Sequence, residues 1–577
     1  MTDRSRDHPA APPSPPAKVQ AWQLHAAGLE NLGRDGEPDL IPLPRPEPEQ
    51  LLVRIDAVGL CFSDIKLISQ GANHPRIAGR DLAREPVIPG HEVSVTVAAV
   101  GDRRASQFRV GDRFVVQADV FYQGVSIAYG YALPGALAQY GIIGKEILDG
   151  DEGCYLLPVK PETGYSEAAL TEPWACVEAS YRITRRRGLK PGGLAWFVGA
   201  DSAADFELCL PENERPMRAV LTDAPSAIAA ELEKAVPLAR RDGFHSLDLA
   251  QLRDELTAGA GFDDIIFFGT DIAVIESAAA LLATGGIVSI ICGAEAKGQL
   301  SLDLGRIHYD DHLYLGTEGN RLSDAYLTAR PGSELAKNGK AWFIGAGGPM
   351  GQMHLQRALE LPGGPRTVVI SDVDPARLGF VEERFAKTAR DRGVTLLALN
   401  PAEMTAEEFQ ALLEKVSGGD GFEDVVLLAP VAALAEAAAD QVADGGRLNI
   451  FAGLARGTRA SFDLAHLCRR KIRIIGSSGS ALSDLAFTLA KAEAGQLSTN
   501  YVVAAIGGMR AARKGLEGVK AGTFPGKVVI YPQLPDLPLL PLPDLKERLP
   551  RVAAKLEDGK FWSREAEAEL LRGAGGG

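Results

Sequence analysis

Alternating apolar and polar residues divide the chain into a β-rich first part and an α/β remainder. From about Val19 to Leu157, short alternating runs such as LLVRIDAVGL are interrupted by Gly and Pro, which predicts the strands and turns of a mainly β domain. Around Ser166–Arg182 the pattern becomes helical. Beyond Gly188, strand-like runs alternate with helical stretches rich in Ala, Leu and Glu. That alternation is typical of βα units and a parallel sheet.

Segments of the α/β part recur at a constant spacing. GFDDIIFFG, which begins at Gly261, returns as GFEDVVLLA at Gly421, and GGIVSIICG at Gly285 returns as GGRLNIFAG at Gly445. Two unrelated strands that merely look alike would not keep the same separation for several pairs. The sequence therefore predicts two tandem copies of one α/β domain.

These patterns set the expected domain boundaries. Residues 1–18 form a Pro-rich leader without an apolar core, which we expect to be disordered and which is not a secretory signal. The other predicted segments are a β domain at 19–187, the first α/β copy at 188–337, the second α/β copy at 338–485, a closing β segment at 486–532 and a tail at 533–577.

Composition excludes several functional classes. The net charge of −14 and the pI near 5.3 argue against a nucleic-acid-binding surface, and no apolar run is long enough to span a bilayer. The six cysteines are scattered without a CxxC pair, which favours free thiols in a reducing cytoplasm and excludes a compact four-cysteine zinc lobe. We therefore expect a cytoplasmic protein with no nucleic-acid or membrane partner.

The second α/β copy begins with a nucleotide-binding pattern. The strand AWFIGAG leads into GGPMGQMHLQRALEL, so a glycine-rich turn precedes a helix N-terminus, where backbone amides can approach a pyrophosphate. A following strand ends at Asp372, where an acid can accept hydrogen bonds from ribose hydroxyls. This arrangement favours NAD, while Arg366 or Arg377 leaves NADP open. The candidate cofactor-binding residues are Gly345, Gly347, Gly348, Pro349, Met350, Gly351, Asp372 and Arg377.

The first α/β copy keeps the strand but not the glycine-rich turn. After Gly199 it continues as DSAADFELCL, in which Asp201 and Asp205 would repel a pyrophosphate. We interpret this copy as a degenerate domain that serves in packing. A retained site for another nucleotide is the alternative.

Three short stretches form a candidate metal site: CFSD from Cys61, PGHE ending at Glu92 and TEPWACVEA from Thr171. A thiolate, an imidazole and a carboxylate can hold Zn²⁺ tetrahedrally with the fourth position open. An open position lets the ion polarise an alcohol or carbonyl oxygen. Singly, each residue also has a structural explanation, such as a core cysteine or a favourable carboxylate at a helix N-terminus.

The order CFSD, PGHEVSVTVAAVG, VGDRF, LTEPWACVEAS and then a glycine-rich α/β segment resembles the zinc-containing medium-chain alcohol and polyol dehydrogenases. Within them the chain looks most like L-sorbose-1-phosphate reductase-like and sorbitol dehydrogenase-like proteins. The resemblance covers about Val19 to Pro532, interrupted by the extra α/β copy. It implies an α/β plus β fold: a GroES-like β catalytic domain with two tandem Rossmann-type doubly wound parallel-sheet domains.

The resemblance also assigns roles to residues. It implies that Cys61, His91 and Glu172 bind one catalytic Zn²⁺ per chain, and that Glu92 is the carboxylate beside the metal that can replace a ligand. It implies that Ser63 relays the substrate proton while hydride passes between NAD(P) and a secondary alcohol or ketone of a polyol, sugar or sugar phosphate. Asp64 is expected to support the site.

The chain departs from the family pattern at three places. Lys66 stands where many relatives have a histidine, the glycine that often follows the His-Glu pair is absent from VSVTVAAV, and the lobe that would hold a second, structural zinc is missing. Two alternatives stay open: a zinc-free quinone-type reductase of the same fold, and a catalytically decayed nucleotide-binding sensor.

Two further expectations concern the partner and the substrate. Because the family dimerises through the edge strands of its nucleotide domains, the first α/β copy is expected to occupy that edge within one chain, which gives a homodimer or a pseudo-dimeric monomer. His74, Arg76 and Arg80 lie in the loop after CFSD and would favour a phosphorylated or acidic polyol, solvated side chains being the alternative.

Overall fold

The computed structural model describes residues 17–199, 205–208, 210–241, 243–327, 330 and 332–574. Most of the expected leader and Asp201 therefore lie outside the described residues. The chain forms two compact units. The β unit comprises Met1–Trp174 with Ala481–Gly577, and the α/β unit comprises Ala175–Ser480.

The first part of the chain is rich in strands. Its strands are β1 (Lys18–Ala21), β2 (Asp39–Pro42), β3 (Leu51–Gly59), β4 (Glu92–Val100), β5 (Arg113–Val116), β6 (Phe121–Tyr122), β7 (Val125–Ser126), β8 (Tyr140–Ile143) and β9 (Leu156–Pro158). Its helices are α1 (Phe62–Gln70), α2 (Lys145–Leu148), α3 (Tyr165–Ala169) and α4 (Thr171–Arg182).

The α/β unit contains the two predicted copies. The first has strands β10 (Leu194–Gly199), β11 (Arg218–Thr222), β12 (Leu238–Arg240), β13 (Phe262–Phe268), β14 (Leu282–Ile291), β15 (Gln299–Asp303) and β16 (Leu313–Thr317), and helices α5 (Ser226–Glu233), α6 (Leu249–Thr257), α7 (Ile272–Ala279), α8 (Leu304–Tyr309) and α9 (Leu322–Tyr326). The second has strands β17 (Lys340–Ile344), β18 (Thr367–Ser371), β19 (Thr395–Leu399), β20 (Phe422–Leu427), β21 (Val442–Ile450), β22 (Arg459–Asp463) and β23 (Arg473–Gly476), and helices α10 (Pro349–Glu360), α11 (Pro375–Asp391), α12 (Ala406–Ser417), α13 (Ala432–Asp440) and α14 (Leu464–Cys468).

The C-terminal part of the chain belongs to the β unit. It contains α15 (Leu482–Glu493), β24 (Val503–Gly508), α16 (Ala512–Ala521), β25 (Lys527–Tyr531), β26 (Leu540–Pro541), α17 (Leu545–Arg548), α18 (Pro550–Ala553) and α19 (Arg564–Ala574). The strands β26, β24, β25, β3, β4, β5 and β9 lie side by side in this order in one sheet, and β8 also pairs with β3. The sheet is therefore completed by strands that are distant in sequence from those that begin it.

Twelve strands of the α/β unit form one continuous sheet, in the order β12, β11, β10, β13, β14, β16, β23, β21, β20, β17, β18, β19. In each half, the strand order follows the doubly wound pattern in which the first strand lies in the middle. The halves meet where β16 and β23 pair in antiparallel fashion. The first copy thus covers an edge of the second within one chain, as the family resemblance led us to expect.

The junction between the two halves relates equivalent residues of the repeat. Tyr314 pairs with Ile474 across β16 and β23, and Ser301 pairs with Ser461 across the separate two-stranded sheet of β15 and β22. Both pairs join a residue to its counterpart in the other copy. Pairing of a segment with its own counterpart is the mark of a two-fold, isologous interface, here formed inside a single chain.

The tail packs onto the β unit, which its sequence did not reveal. The buried carboxylate of Glu567 accepts hydrogen bonds from the backbone N–H groups of Tyr165 and Ser166, at 2.5 and 2.7 Å, and from the hydroxyl of Tyr531 at 2.8 Å. The indole N–H of Trp562 donates to the same tyrosine hydroxyl at 3.0 Å. The end of the chain is therefore part of the β unit's core. In the part of the chain that the structure describes, every helix is too short or too polar to cross a membrane.

Candidate metal centre and nucleotide-binding site

The register of two long strands brings the sequence-predicted ligands together. β3 ends at Gly59 and β4 begins at Glu92, and these two residues face each other in the antiparallel ladder. Cys61 lies two residues after the last residue of β3, and His91 directly precedes β4. Both side chains therefore lie at the same end of the sheet. A Cβ atom on Gly59 would lie 2.1 Å from Oε2 of Glu92, so a larger residue at position 59 would displace that carboxylate.

Three side chains form the candidate metal centre. One ligand atom each from Cys61, His91 and Glu92 lies within 4.8 Å of the others. His91 and Glu92 are buried and Cys61 is half-buried. Among the described residues, Oε2 of Glu92 is buried without a hydrogen-bond partner, which is costly unless a cation binds there. Sulfur, imidazole and carboxylate donors suit Zn²⁺, so the residues fit the expected metal.

Asp64 joins the two segments that supply these donors. Its Oδ1 lies 3.1 Å from Nδ1 of His91 and accepts the backbone N–H of Gly90 at 3.2 Å, while Oδ2 accepts the backbone N–H of Cys61 at 3.0 Å. Burial lowers the pKa of His91, but the charge of Asp64 contributes most among the opposing interactions that raise this pKa well above its ordinary value. A carboxylate on one imidazole nitrogen orients the ring and leaves the other nitrogen for a metal. This is the supporting role that the sequence suggests for Asp64.

Lys527 is a site residue that the sequence did not reveal. It begins β25, is buried, and donates a hydrogen bond to Oε1 of Glu92. Burial lowers the pKa of Lys527, but the charge and hydrogen bond of Glu92, with the charges of Cys61 and Glu172, raise it above its ordinary value overall. The only signal in the sequence is a lysine at the start of the apolar run GKVVIYP, which resembles an ordinary exposed strand end.

Glu172 is not one of the three donors that lie within 4.8 Å of one another. It lies in the first turn of α4 and is absent from the cluster of described residues within 4.8 Å. Burial raises the pKa of Glu172 to about 7, with the charges of His91 and Glu92 acting in opposite directions. The structure therefore brings together two of the three expected ligands, Cys61 and His91, and places Glu92 in the group instead of Glu172. Ser63, the expected proton relay, is half-buried on the first turn of α1.

The glycine-rich turn of the second copy lies in close contact with the atoms around it. Gly345 has φ +81°, which favours glycine. A Cβ atom on Gly347 would lie 2.7 Å from Oδ2 of Asp372, and one on Gly351 would lie 2.4 Å from the Cα atom of Ala346. The turn thus lies tightly between Asp372, which directly follows β18, and the first turn of α10. Gly351 fits the role of a glycine that lets a helix pack on its strand.

The N-terminus of α10 is open in front of the turn. Gly348 is the N-cap residue and Pro349 the first helical residue, and the space where a Cβ of Gly348 would lie is empty among the described residues. Met350, next in the helix, is half-buried. Free amides and the helix dipole make such an N-terminus suitable for a pyrophosphate.

Asp372 lies at the position expected of a ribose-binding acid. Its Oδ2 accepts the backbone N–H of Gly347 at 2.9 Å, and its Oδ1 lies 3.1 Å from a guanidinium nitrogen of Arg377. The acid thereby fixes the turn and holds an arginine next to itself. In the first copy, the equivalent Asp223 instead accepts the backbone N–H groups of Gly243 and Phe244, both at 2.8 Å, so its carboxylate is committed to a different loop.

Comparison with known proteins places this geometry in a family. Residues 47–148 match the alcohol dehydrogenase GroES-like domain. The chain is 27% identical to a mannitol-1-phosphate 5-dehydrogenase of Aliivibrio fischeri, over 58% of this chain and 84% of that protein. It is 30% identical to an L-sorbose 1-phosphate reductase of Klebsiella pneumoniae, over 50% of this chain and 74% of that protein.

Solved structures agree on the fold. An alcohol dehydrogenase of Thermotoga maritima aligns with a TM-score of 0.50 and 14% identity, covering 89% of this chain and 99% of the other. The α/β plus β fold class predicted from the sequence is thus confirmed, as is the resemblance carried by CFSD, PGHE and TEPWACVEA. The chain belongs to the medium-chain dehydrogenase superfamily.

Proposed function

We propose that the protein is a zinc-dependent oxidoreductase that transfers hydride between NAD(P) and a secondary alcohol or ketone of a polyol, sugar or sugar phosphate. The observation that carries this proposal is the group of Cys61, His91 and Glu92, whose donor types suit one Zn²⁺ and which includes a buried carboxylate oxygen without a hydrogen-bond partner. The relatives support the substrate class, because they are named for mannitol 1-phosphate and L-sorbose 1-phosphate.

The residues of the β unit have separate tasks in this proposal. Cys61 and His91 hold the metal with one carboxylate, either Glu92 or Glu172. Asp64 orients the imidazole, and Lys527 balances the charge of Glu92. When bound, zinc supplies a Lewis acid that polarises the alcohol or carbonyl oxygen. Ser63 accepts the substrate's hydroxyl proton and passes it to solvent.

The α/β unit binds the cofactor through its second copy. The open N-terminus of α10 receives the pyrophosphate, and Asp372 accepts hydrogen bonds from the ribose hydroxyls. NAD is the expected cofactor because a carboxylate repels a 2′-phosphate, while Arg377 beside it keeps NADP as the alternative. The first copy serves as an internal partner for the second, which supports a pseudo-dimeric monomer. A cytoplasmic location fits the five described cysteines, all of which are free thiols.

A substrate screen tests the proposal. Purified protein is mixed with a panel of polyols, ketoses and their phosphates, each with NAD(H) and NADP(H), and the absorbance of the reduced nicotinamide is followed. We expect turnover of at least one secondary alcohol, and none by the Cys61→Ser variant with an intact fold. A zinc-loaded protein that turns over nothing in the panel, yet binds NAD, would favour the sensor alternative.

A further inference from the structure

A group of basic side chains lies beside the candidate metal centre. The buried ring of Tyr131 lies 5.9 Å from the ring of His91 and 5.2 Å from the ring of His74, measured between centroids. The guanidinium carbon of Arg76 lies 5.0 Å from the centre of the same tyrosine ring. One aromatic ring therefore separates a metal-centre histidine from a guanidinium group.

Two cations act on the imidazole of His74. Burial lowers the pKa of His74, and the charges of Arg76 and Lys66 lower it further. Asp119 pairs with Arg76 at 2.7 Å. We call Lys66, His74 and Arg76 the cationic cluster.

The side chains of the cluster are able to reach a ligand. Arg76 keeps 38% of its side chain exposed, and one terminal nitrogen of its guanidinium group lies 2.7 Å from Asp119. Nδ1 of His74 accepts the backbone N–H of Arg76 at 3.3 Å, which places the proton of the neutral ring on Nε2, where it can be donated. The ring of Tyr131, which Arg76 and His91 both contact, places the guanidinium near the candidate metal centre.

We propose that the cationic cluster binds the phosphate group of the substrate, and that the substrate is therefore a phosphorylated polyol or ketose. This inference rests on the proposed function. Arg76 supplies the planar donor pair that suits a phosphate, Lys66 supplies a point charge and His74 an N–H donor. The ring of Tyr131 sets the spacing between the phosphate and the carbon that reacts at the metal centre. A linear sugar phosphate can bridge that spacing with its hydroxyl-bearing chain.

Arg80, the third basic residue of this loop, is committed elsewhere. It donates to the backbone carbonyl of Ala132 at 3.1 Å and lies 3.9 Å from Glu85. Its role is to hold the loop in place. Arg84, further along the same loop, is a suitable control position because 86% of its side chain is exposed and it pairs only locally, at 3.5 Å, with Asp81.

Steady-state kinetics separate phosphate binding from the chemical step. Wild type, Arg76→Gln, Arg76→Lys and the matched control Arg84→Gln are assayed with polyol and ketose phosphates and with the corresponding unphosphorylated compounds. For Arg76→Gln we expect KM for the phosphorylated substrate to rise by about 10- to 100-fold, the loss of one charge-assisted pair, with kcat nearly unchanged. KM for the free polyol stays the same, Arg76→Lys recovers part of the loss, and Arg84→Gln behaves as wild type.

Calorimetry with inorganic phosphate tests the cluster without turnover. We expect phosphate binding by wild type and Arg84→Gln and its loss in Arg76→Gln, whose zinc content and thermal unfolding match the wild type. If no compound is turned over, the proposed function fails, yet phosphate binding that depends on Arg76 still supports the cluster. Phosphate binding that is absent from wild type or indifferent to Arg76→Gln overturns the inference, as does an equal loss of activity on phosphorylated and free substrates.

Discussion

Oδ1 of Asp64 lies 3.1 Å from Nδ1 of His91, and the opposite oxygen of the same buried carboxylate accepts the N–H of Cys61 at 3.0 Å. One side chain thus fixes both the imidazole and the segment that carries the thiol. Because these two donors lie beside the ends of different strands, their mutual position depends on Asp64 as well as on the sheet.

Replacing Asp64 therefore weakens metal binding. We expect Asp64→Asn, which preserves size but removes the charge behind His91, to lower zinc affinity by about 10- to 100-fold. Titration against a zinc chelator of known affinity measures the change. The control is Asp81→Asn on an exposed loop, whose side chain is 60% exposed. Equal affinities for Asp64→Asn and wild type would show that the carboxylate does not orient the metal site.

The buried pair of Lys527 and Glu92 predicts an effect on stability that depends on zinc. Lys527→Met leaves the carboxylate of Glu92 buried without its cation, which costs about 3–5 kcal/mol in the free energy of unfolding. A bound zinc ion would replace the missing positive charge, so the loss is smaller in zinc-loaded protein. Denaturant unfolding of both forms measures this, with Lys514→Met on the exposed face of α16 as the control. An equal loss with and without zinc would contradict the assignment of Glu92 to the metal centre.

Asp372 and Asp223 form a matched pair for the cofactor. Asp372→Ser removes the acid expected to bind the ribose and frees Arg377, so KM for NAD should rise about tenfold, the loss of one to two kcal/mol of hydrogen bonding, while KM for NADP falls. The same change at Asp223 should leave both values unchanged, because that carboxylate binds the N–H groups of Gly243 and Phe244. The prediction is wrong if Asp223→Ser alters cofactor binding as much as Asp372→Ser does.

The pairing of Tyr314 with Ile474 predicts the oligomeric state. The edge strand at which each copy would meet a second molecule is already paired within the chain. We expect light scattering after size-exclusion chromatography to give the mass of one chain, 61.2 kDa. A stable dimer at low micromolar concentration would contradict the idea that the first copy replaces a partner subunit.

The sequence predicted features that depend on local order and failed for those that depend on tertiary contacts. CFSD and PGHE each keep their donors within a few residues of a strand end, so Cys61, His91 and Glu92 were identifiable. The constant spacing of the repeat indicated two copies of one α/β domain. Lys527, by contrast, is separated from Glu92 by 435 positions in the sequence, yet it donates a hydrogen bond to that residue. The pattern of apolar and polar residues does not indicate such a contact.

The sequence also did not show which carboxylate joins Cys61 and His91, or where the C-terminal tail packs. Whether Glu92 or Glu172 faces the thiol depends on side-chain orientation at the start of β4 and in the first turn of α4, which a motif does not encode. The tail appeared as a charged helical segment, but Glu567 binds backbone amides of α3. Its role follows from those contacts and not from its composition.

The most direct test of the account is whether activity follows zinc. The metal content of the purified protein is measured, zinc is removed with a chelator and then restored, and NAD(P)-linked oxidation of the preferred polyol or polyol phosphate is followed at each step. We predict one zinc ion per chain, loss of activity on its removal and recovery when zinc is returned, with Cys61→Ser unable to recover. Full activity in metal-free protein would contradict the central claim.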